Sequence, residues 1–172
     1  MAIEIGDAVE ADLPGILAIQ NHAIAETTAV WSYDPVTLES RIAWLADRRA
    51  QGFPVLAARG DGELLGFASY GPFRAWDAYR HTVENSVYVR SDIHRQGVGR
   101  LLLSALVERA RAQDLHVMIA GIEAGNTASI ALHARLGFYE AGRLAQVGAK
   151  FGRWMDLVLM QLALSNAPSP SA

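Results

Sequence analysis

The sequence predicts an α/β fold in which helices pack on a mixed central sheet, and three observations indicate it. Strand-like and helix-like segments follow one another in the order β-α-α-β-β-β-α-β-α-β-β. Neither a repeat nor a linker interrupts this order, and 172 residues suit one domain. Apolar residues make up 51% of the chain, enough for a sizeable core. We therefore expect one domain over residues 1–164 and a disordered polar tail at 165–172.

The first half of the chain predicts one strand, two helices and a hairpin. In order, these are a strand at 3–8, helices at 12–27 and 37–52, and hairpin strands at 53–59 and 64–71. Asp12 is the predicted cap of the first helix, and Pro14 lies in its first turn. Gly52 is typical of a helix C-terminus and ends the second helix.

The second half predicts strands and helices in closer alternation. In order, these are a strand at 81–89, a helix at 98–112, a strand at 116–121, a helix at 126–137, and strands near 138–148 and 153–164. Each segment is short and lies close to the next one. This arrangement is typical of a single layered domain.

Composition and charge exclude several classes of function. A net charge of −3 and a pI of 5.9 argue against nucleic acid as a partner. The absence of cysteine excludes disulfides, thiolate metal sites and acyl-cysteine intermediates. The histidines lack metal-ligand spacing, so no metal is expected. The apolar runs are too short to span a membrane, and the acidic first residues do not resemble a signal peptide.

Two glycines stand where the third predicted helix begins. Gly97 and Gly99 let the backbone approach a ligand closely, since neither carries a Cβ atom. A helix start offers unpaired N–H groups and roughly half a positive charge, so it suits a phosphate. Arg90, Arg95 and Arg100 flank this loop and add charge. The pattern matches neither a Walker loop nor the dinucleotide fingerprint, and a helix start that binds nothing remains the alternative.

Glu84 is a charged residue in an otherwise apolar strand. In an alternating strand, Thr82, Glu84, Ser86 and Tyr88 share one face. A carboxylate on a partly desolvated face has a raised pKa and can accept a proton near neutral pH. Glu84 is therefore a candidate general base, and a solvated or salt-bridged glutamate is the alternative.

Two motifs carry a resemblance to a known family. The stretch HRQGVG at 94–99 resembles the Q/R-x-x-G-x-G/A loop of the GCN5-related N-acetyltransferases (GNAT), with His94 in place of Gln or Arg. The stretch NTASIALHARLGF at 126–138 resembles that family's N-x-x-S-x-x-L-Y-x-x-L-G-F segment, with His133 in place of tyrosine. The fragments TVENSVYV, NHAIAETTAVW, LHARLGF and KFGRWMD are similar to its phosphinothricin and methionine sulfoximine/methionine sulfone acetyltransferase branch.

The resemblance covers almost the whole chain and implies a single-domain GNAT fold. That fold has a mixed, mostly antiparallel sheet of about seven strands, flanked by about four helices. The implied activity is N-acetyl transfer from acetyl-CoA, as co-substrate, to the α-amine of a small amino-acid analogue. The implied protein is a cytoplasmic homodimer whose partner molecule is a small amine, with no nucleic-acid or membrane partner.

The resemblance also implies which residues contact acetyl-CoA. In the family, the catalytic strand splays from its neighbour and the cofactor enters the gap, while the loop before the helix binds the pyrophosphate. Carried onto this sequence, the contacts are Val87, Tyr88, Val89, Arg95, Gln96, Gly97, Val98, Gly99, Arg100, Asn126, Ser129 and Arg135. The N–H of Val87 is a candidate oxyanion donor, a role worth about 3–4 kcal/mol.

His133 and Asn126 are the candidates to stabilise or protonate the departing thiolate of CoA. With Ser129 they lie at i, i+3 and i+7, so they share one helix face. A histidine with only structural hydrogen bonds is the alternative reading of His133.

A zwitterionic acceptor needs a cation for its carboxylate and apolar walls for its side chain. Arg74 is the candidate cation, while Trp31 and Trp76 are candidate walls that could equally be ordinary core aromatics. The full predicted acceptor set is Trp31, Arg74, Ala75, Trp76, Glu84, Asn85 and Ser86. The segment KFGRW at 150–154 is expected to close the site from a neighbouring subunit.

Three other functions fit parts of the sequence. The first is a GNAT enzyme that acetylates another amine, such as a protein N-terminus, a polyamine or an aminoglycoside. The second is an acyl-CoA-binding sensor without catalysis, which the presence of both Glu84 and His133 disfavours. The third is a structural interaction domain, which explains neither the loop glycines nor the strand carboxylate.

Overall fold

The computed structural model describes residues 2–93 and 96–166 of the chain. His94 and Arg95, in the predicted phosphate-binding loop, lie outside the described residues, as does the predicted tail from residue 167 onward. No helix within the described part is long and apolar enough to cross a membrane.

Within the described residues, seven strands and four helices follow one another in the predicted order. The strands are β1 (Glu4–Asp7), β2 (Val55–Gly60), β3 (Glu63–Pro72), β4 (Thr82–Val89), β5 (Val117–Glu123), β6 (Tyr139–Lys150) and β7 (Arg153–Ala163). The helices are α1 (Leu13–Glu26), α2 (Leu38–Ala50), α3 (Val98–Ala112) and α4 (Thr127–Arg135). The predicted fold class is therefore confirmed.

All of these strands join one sheet, in the order β1-β2-β3-β4-β5-β7-β6. Neighbouring strands run antiparallel except at the centre, where β4 and β5 are parallel. Parallel neighbours need a crossover connection, and α3 supplies it between these two strands. The sheet is thus mixed and mostly antiparallel, as predicted.

Helices cover both faces of the sheet and create two cores. On the α1–α2 face, Ile16 and Phe67 belong to one buried cluster, and Tyr88 packs against it. On the α3–α4 face, Leu103 and Val83 belong to a larger cluster. Because side chains alternate along a strand, β4 contributes to both cores and lies between them.

The start of α1 differs from the prediction at Asp12. Asp12 ends a short 3₁₀ turn, and its side chain makes no capping hydrogen bond to α1. The carboxylate instead accepts a hydrogen bond from the N–H of Val9 at 2.7 Å and pairs with Arg59 of β2. Asp12 therefore stands at the predicted N-cap position of α1, but the Val9 N–H and Arg59 engage its carboxylate in place of a capping hydrogen bond.

The hairpin of β6 and β7 is longer than the sequence predicts. β6 continues to Lys150, and the chain reverses at Phe151 and Gly152, which both have positive φ. The segment 150–154 therefore forms the tip of this hairpin. Its expected contact with a neighbouring subunit stays a prediction.

Candidate active site

β4 and β5 pair only over their first residues and then separate. The parallel register joins Thr82–Glu84 to Val117–Ile119, and no further pair follows in these described strands. Both strands nevertheless continue, to Val89 and to Glu123. A wedge-shaped gap therefore opens at the centre of the sheet. The family resemblance implied this splay, and the structure confirms it.

The main chain of β4 presents hydrogen-bonding groups to the gap. The N–H of Arg90 donates to the carbonyl of Leu65 at 2.9 Å, so the even-numbered residues direct their main chain to β3. Val87 and Val89 alternate with them and direct their main-chain groups toward β5. The orientation of Val87 suits the predicted oxyanion donor, whereas the main chain of Tyr88 faces β3.

Asn85 lies at the narrow end of the gap. Its side-chain Nδ2 donates to the carbonyl oxygen of Ile119 at 3.2 Å, just where the ladder between the strands stops. Its Oδ1 lies 3.1 Å from Nε2 of His133. Asn85 is 7% exposed and, by strand alternation, points to the opposite face from Glu84. Its side chain therefore supports the gap from the α3–α4 face.

His133 is buried between Asn85 and the main chain of Ser129. Its Nδ1 lies 2.8 Å from the Ser129 carbonyl oxygen, which only accepts, so Nδ1 carries the proton of the neutral ring. Burial lowers the pKa of His133, and the hydrogen bond to Ser129 opposes part of that shift. Its Nε2 can donate to Asn85 only after gaining a second proton. The general-acid role stays a prediction.

The N-terminus of α3 lies beside the open end of the gap. Gly97 has a φ of +85°, and a Cβ atom there would meet nothing within 4 Å. A Cβ atom at Gly99 would lie 3.3 Å from Leu132 and 3.6 Å from Val89, so glycine permits this close packing. The first turn leaves N–H groups without intrahelical partners, which suits a diphosphate. The exposed side chains at this end are Gln96 and Arg100.

A cavity of about 70 Å³ lies in the gap, and α4 lines one side of it. Asn126, Ser129 and His133 all reach this cavity, as their shared helix face predicts. Asn126 also caps α4, because its Oδ1 accepts a hydrogen bond from the Ser129 N–H at 3.1 Å. Arg135 is exposed at the end of the helix.

A larger groove of about 640 Å³ runs beside α1 and contains neither Glu84 nor His133. Among the described residues, no cluster of three or more His, Asp or Glu side chains could hold a metal ion. The ionisable groups at the gap are carboxylates and one imidazole, and main-chain groups lie beside them.

Glu84 lies on the α1–α2 face of β4, at the edge of the gap. Its Oε1 is 3.0 Å from the point that a Cβ atom of Gly121 would occupy, so the glycine leaves room for the carboxylate. Burial raises the pKa of Glu84, and the Arg74 guanidinium opposes part of that rise. The position and the direction of the pKa shift agree with a general base. The role itself stays a prediction.

Glu123 and Thr28 are two polar residues of this site that the sequence did not reveal. Glu123 is 7% exposed, and its Oε2 accepts a hydrogen bond from the Thr28 hydroxyl at 3.0 Å. Glu123 lies two residues beyond Gly121, so by strand alternation its side chain is on the same face of the sheet as Glu84. Its Oε2 lies 3.0 Å from the point that a Cβ atom of Gly125 would occupy. No local pattern joins residues 95 positions apart, and a lone glutamate at a strand end was the available signal.

The segment 27–37 between α1 and α2 reaches the same cavity. The indole Nε1 of Trp31 donates to the carbonyl of Thr28 at 2.9 Å. The ring lies directly against Gly148 of β6, where a Cβ atom would collide with it. Trp31 is therefore held in place, and its role as an acceptor wall stays a prediction.

The loop between β3 and β4 carries the other predicted acceptor residues. Arg74, Ala75 and Trp76 are exposed, and Trp76 is 78% exposed. The Arg74 guanidinium stacks on Phe73, 4.9 Å from the ring centroid, yet acts on the pKa of Glu84. The charge of Arg74 thus acts on the candidate base, whereas Trp76 lies in solvent. The binding roles of these residues stay predictions.

Comparison with known proteins identifies the family. The sequence model described as "Acetyltransferase (GNAT) family" matches residues 16–138, which is more than half of the chain. This chain belongs to the GNAT acetyltransferase family. The family predicted from the sequence is confirmed.

The relatives of this GNAT chain cover nearly all of its length. An L-methionine sulfoximine/L-methionine sulfone acetyltransferase of Pseudomonas aeruginosa is 57% identical, over 98% of this chain and 99% of the relative. A Salmonella typhimurium acetyltransferase, solved with acetyl-CoA, is 45% identical with a TM-score of 0.97, over 100% of this chain and 99% of that one. A Brucella melitensis structure named ribosomal-protein-alanine N-acetyltransferase is 54% identical with a TM-score of 0.92. The match covers 93% of this chain and 99% of that one.

Proposed function

We propose that this GNAT acetyltransferase moves the acetyl group of acetyl-CoA to the α-amine of methionine sulfoximine or methionine sulfone. The gap between β4 and β5, with Glu84 at its edge, carries this proposal. A thioester in the gap has its carbonyl beside β4 and within reach of a base. The Pseudomonas aeruginosa relative is named for these two acceptors, which supports the acceptor class.

Acetyl-CoA fits the groups that surround the gap. The first turn of α3 after Gly97 would hold the pyrophosphate, because its N–H groups have no intrahelical partners. The main-chain groups of Val87 and Val89 would align the pantetheine arm. The Salmonella typhimurium structure, which contains acetyl-CoA, supports this co-substrate.

The arrangement supports direct attack in a ternary complex. Glu84 takes a proton from the acceptor ammonium, and the amine nitrogen then bonds to the thioester carbonyl carbon. The carbon–sulfur bond breaks and CoA leaves as the thiolate, while the nitrogen gives up its second proton to form the neutral amide and that proton converts the thiolate to the thiol. The Val87 N–H is oriented to stabilise the oxyanion, and the chain contains no cysteine to form an acyl-cysteine. Parallel initial-rate lines, which indicate a ping-pong mechanism, would contradict this order.

A panel of amines with a thiol-release assay tests the acceptor class. The panel contains methionine sulfoximine, methionine sulfone, phosphinothricin, ordinary amino acids, a polyamine and a peptide that begins with alanine. We expect the highest kcat/KM with the first two compounds. Higher kcat/KM with the peptide would contradict the proposal.

Acetylation of protein N-termini is the second candidate function, and the peptide that begins with alanine tests it. The 54% identity to the Brucella melitensis protein favours protein N-termini. The small cavity and the segment 27–37 that reaches it favour a small molecule instead.

The resemblance implies a cytoplasmic homodimer, and we propose both properties for this protein. The candidate dimer surface lies on β6 and β7. β6 is an edge strand, and this hairpin exposes apolar side chains. They are Tyr139, Leu144, Val147, Phe151 and Trp154. A second copy is the proposed occupant, because an exposed apolar edge strand favours pairing. Light scattering after size exclusion should give twice the 18.6 kDa of one chain, and a monomer at micromolar concentration would contradict it.

A further inference from the structure

The chain contains a single lysine, and that lysine is buried. Lys150, the last residue of β6, is 3% exposed. Its Nζ donates to the carbonyl oxygens of Ile24 at 2.5 Å, Thr27 at 2.7 Å and Val30 at 2.6 Å. An ammonium has three N–H donors, so these carbonyls satisfy it without a carboxylate. The ammonium also lies 4.9 Å from the centroid of the Phe151 ring, and a buried charge is tolerated only where it has such partners.

The carbonyls belong to the end of α1 and to the segment that follows it. Ile24 lies in the last turn of α1 and Thr27 directly follows the helix, where carbonyls lack intrahelical partners and the helix dipole is negative. Val30 lies three residues farther along the segment. Lys150 therefore ties the direction of the chain after α1 to the end of β6.

Residues 27–33, here called the strap, are held at β6 by two further contacts. The Trp31 ring lies against Gly148, and the Tyr33 hydroxyl donates to the carbonyl of Ala149 at 2.6 Å. These contacts and Lys150 involve three consecutive residues of β6. The strap is thus fastened to one short stretch of the hairpin.

The strap also contributes directly to the candidate active site. The Thr28 hydroxyl donates to Glu123, and Ala29 lines the cavity in the gap. Moving the strap would therefore displace one wall of the cavity and leave the buried Glu123 carboxylate with one hydrogen bond fewer. The hydrogen bonds and ring packing described for the strap involve α1, β5 and β6, so loss of these contacts should act on the acceptor side and not on the N-terminus of α3.

We infer that Lys150 is a positioning residue that holds the strap where it completes the acceptor side of the site. The inference rests on the proposed function. It predicts that loss of the ammonium raises the KM for the acceptor and leaves the KM for acetyl-CoA unchanged. A lysine that merely stabilises the fold would lower the melting temperature without separating the two KM values.

Lys150→Met removes the donors and keeps most of the side-chain volume. With methionine sulfoximine as acceptor, we expect the acceptor KM to rise about tenfold or more, while the acetyl-CoA KM changes less than about twofold. Lys150→Arg retains charge and donors and should restore part of the acceptor affinity. Arg143→Met, which removes an exposed cation of the same strand, is the matched control and should change neither constant. Equal KM values in Lys150→Met and wild type would overturn the inference.

Tyr33→Phe and chemical labelling keep the inference testable if Lys150→Met does not fold. Tyr33 is 72% exposed, so loss of its hydroxyl should not affect folding. An amine-selective acylating reagent, followed by mass spectrometry of the peptide containing residue 150, reports opening of the strap. Tyr33→Phe should speed labelling of Lys150, and methionine sulfoximine at ten times its KM should slow it about tenfold in wild type. A labelling rate that the acceptor does not change would overturn the inference.

The two proposals fail in different ways. Failure of the wild-type protein to acetylate methionine sulfoximine or methionine sulfone overturns the proposed function. Normal turnover by wild type, together with an unchanged acceptor KM in Lys150→Met, overturns only the role of Lys150.

Discussion

The two sides of the gap between β4 and β5 are built in opposite ways. The α3–α4 side uses main-chain groups and side chains from segments that are continuous in sequence, such as Gly97–Gly99 and Asn126–His133. The α1–α2 side uses side chains that meet across long sequence separations, 95 positions for Thr28 and Glu123. A site made from local segments leaves a pattern in the sequence, whereas a site made from distant side chains does not.

This difference predicts that substitutions on the two sides change different kinetic constants. Changes on the α3–α4 side should act on acetyl-CoA, and changes on the α1–α2 side should act on the acceptor. Glu84 lies at the boundary, so its loss should act on the chemical step that both substrates share.

Glu84→Gln should have the largest effect. Removing a general base should lower kcat by about 10²–10⁴-fold with little change in either KM. In wild type, burial raises the pKa of Glu84, so the active carboxylate is lost as the pH falls through a value above that of an ordinary glutamate. The value of kcat/KM should therefore fall as the pH drops through the raised pKa of Glu84, and this fall should be absent from Glu84→Gln.

Glu39→Gln is the matched control for that experiment. Glu39 is an exposed carboxylate in the first turn of α2, so its loss should leave kcat and the pH profile unchanged. A Glu84→Gln enzyme with wild-type kcat would place the base elsewhere, with Glu123 as the next carboxylate to replace.

Gly97→Ala should have an intermediate effect, limited to acetyl-CoA. A Cβ atom at positive φ costs roughly 1–2 kcal/mol, so the turn before α3 relaxes or loses stability. A displaced helix start should raise the KM for acetyl-CoA by about tenfold and leave the acceptor KM unchanged, as initial-rate measurements would show.

Gly52→Ala gives the comparison at a site away from the gap. Gly52 also has positive φ, +75°, and open space around it, but it follows α2. Both variants should lose similar stability in urea unfolding, and only Gly97→Ala should lose affinity for acetyl-CoA. An equal rise of the KM in both would mean that the effect is one of stability alone.

Thr28→Val should have the smallest effect, limited to the acceptor. It removes one hydroxyl from a buried carboxylate at nearly constant volume, and such a hydrogen bond contributes about 1 kcal/mol. We expect a rise of about two- to fivefold in the KM for methionine sulfoximine and no change for acetyl-CoA. If the KM for acetyl-CoA also changed, the strap would act on both substrates, and the separation of the two sides would be contradicted.

The sequence was sufficient to predict the order of the elements and the α3–α4 side. For that side, the glycines at a helix start and the i, i+3, i+7 spacing of Asn126, Ser129 and His133 are local signals, and Glu84 on the other face is marked as a carboxylate in an apolar strand. The mixed, mostly antiparallel character of the sheet was predicted, whereas the parallel pairing of β4 and β5 is seen only in the structure. The splay came from the family resemblance, because no residue pattern marks where a ladder stops.

The α1–α2 side could not be predicted to the same depth. Asp12 is predicted as a helix cap, but its carboxylate pairs with Arg59 of β2. Lys150 belongs to a segment expected to reach a neighbouring subunit, but it is buried within its own chain. In both cases the decisive partner is set by tertiary packing. Local propensity favours one partner for a polar side chain, and burial of the whole segment selects another.

Calorimetric titration of the full chain with coenzyme A tests the central claim most directly. That claim is that the main chain around the gap and the N-terminus of α3 bind a diphosphate-bearing thiol. The account predicts one coenzyme A per chain, bound about tenfold more weakly by Gly97→Ala than by wild type or Gly52→Ala. Absence of binding to the folded wild-type protein would contradict it.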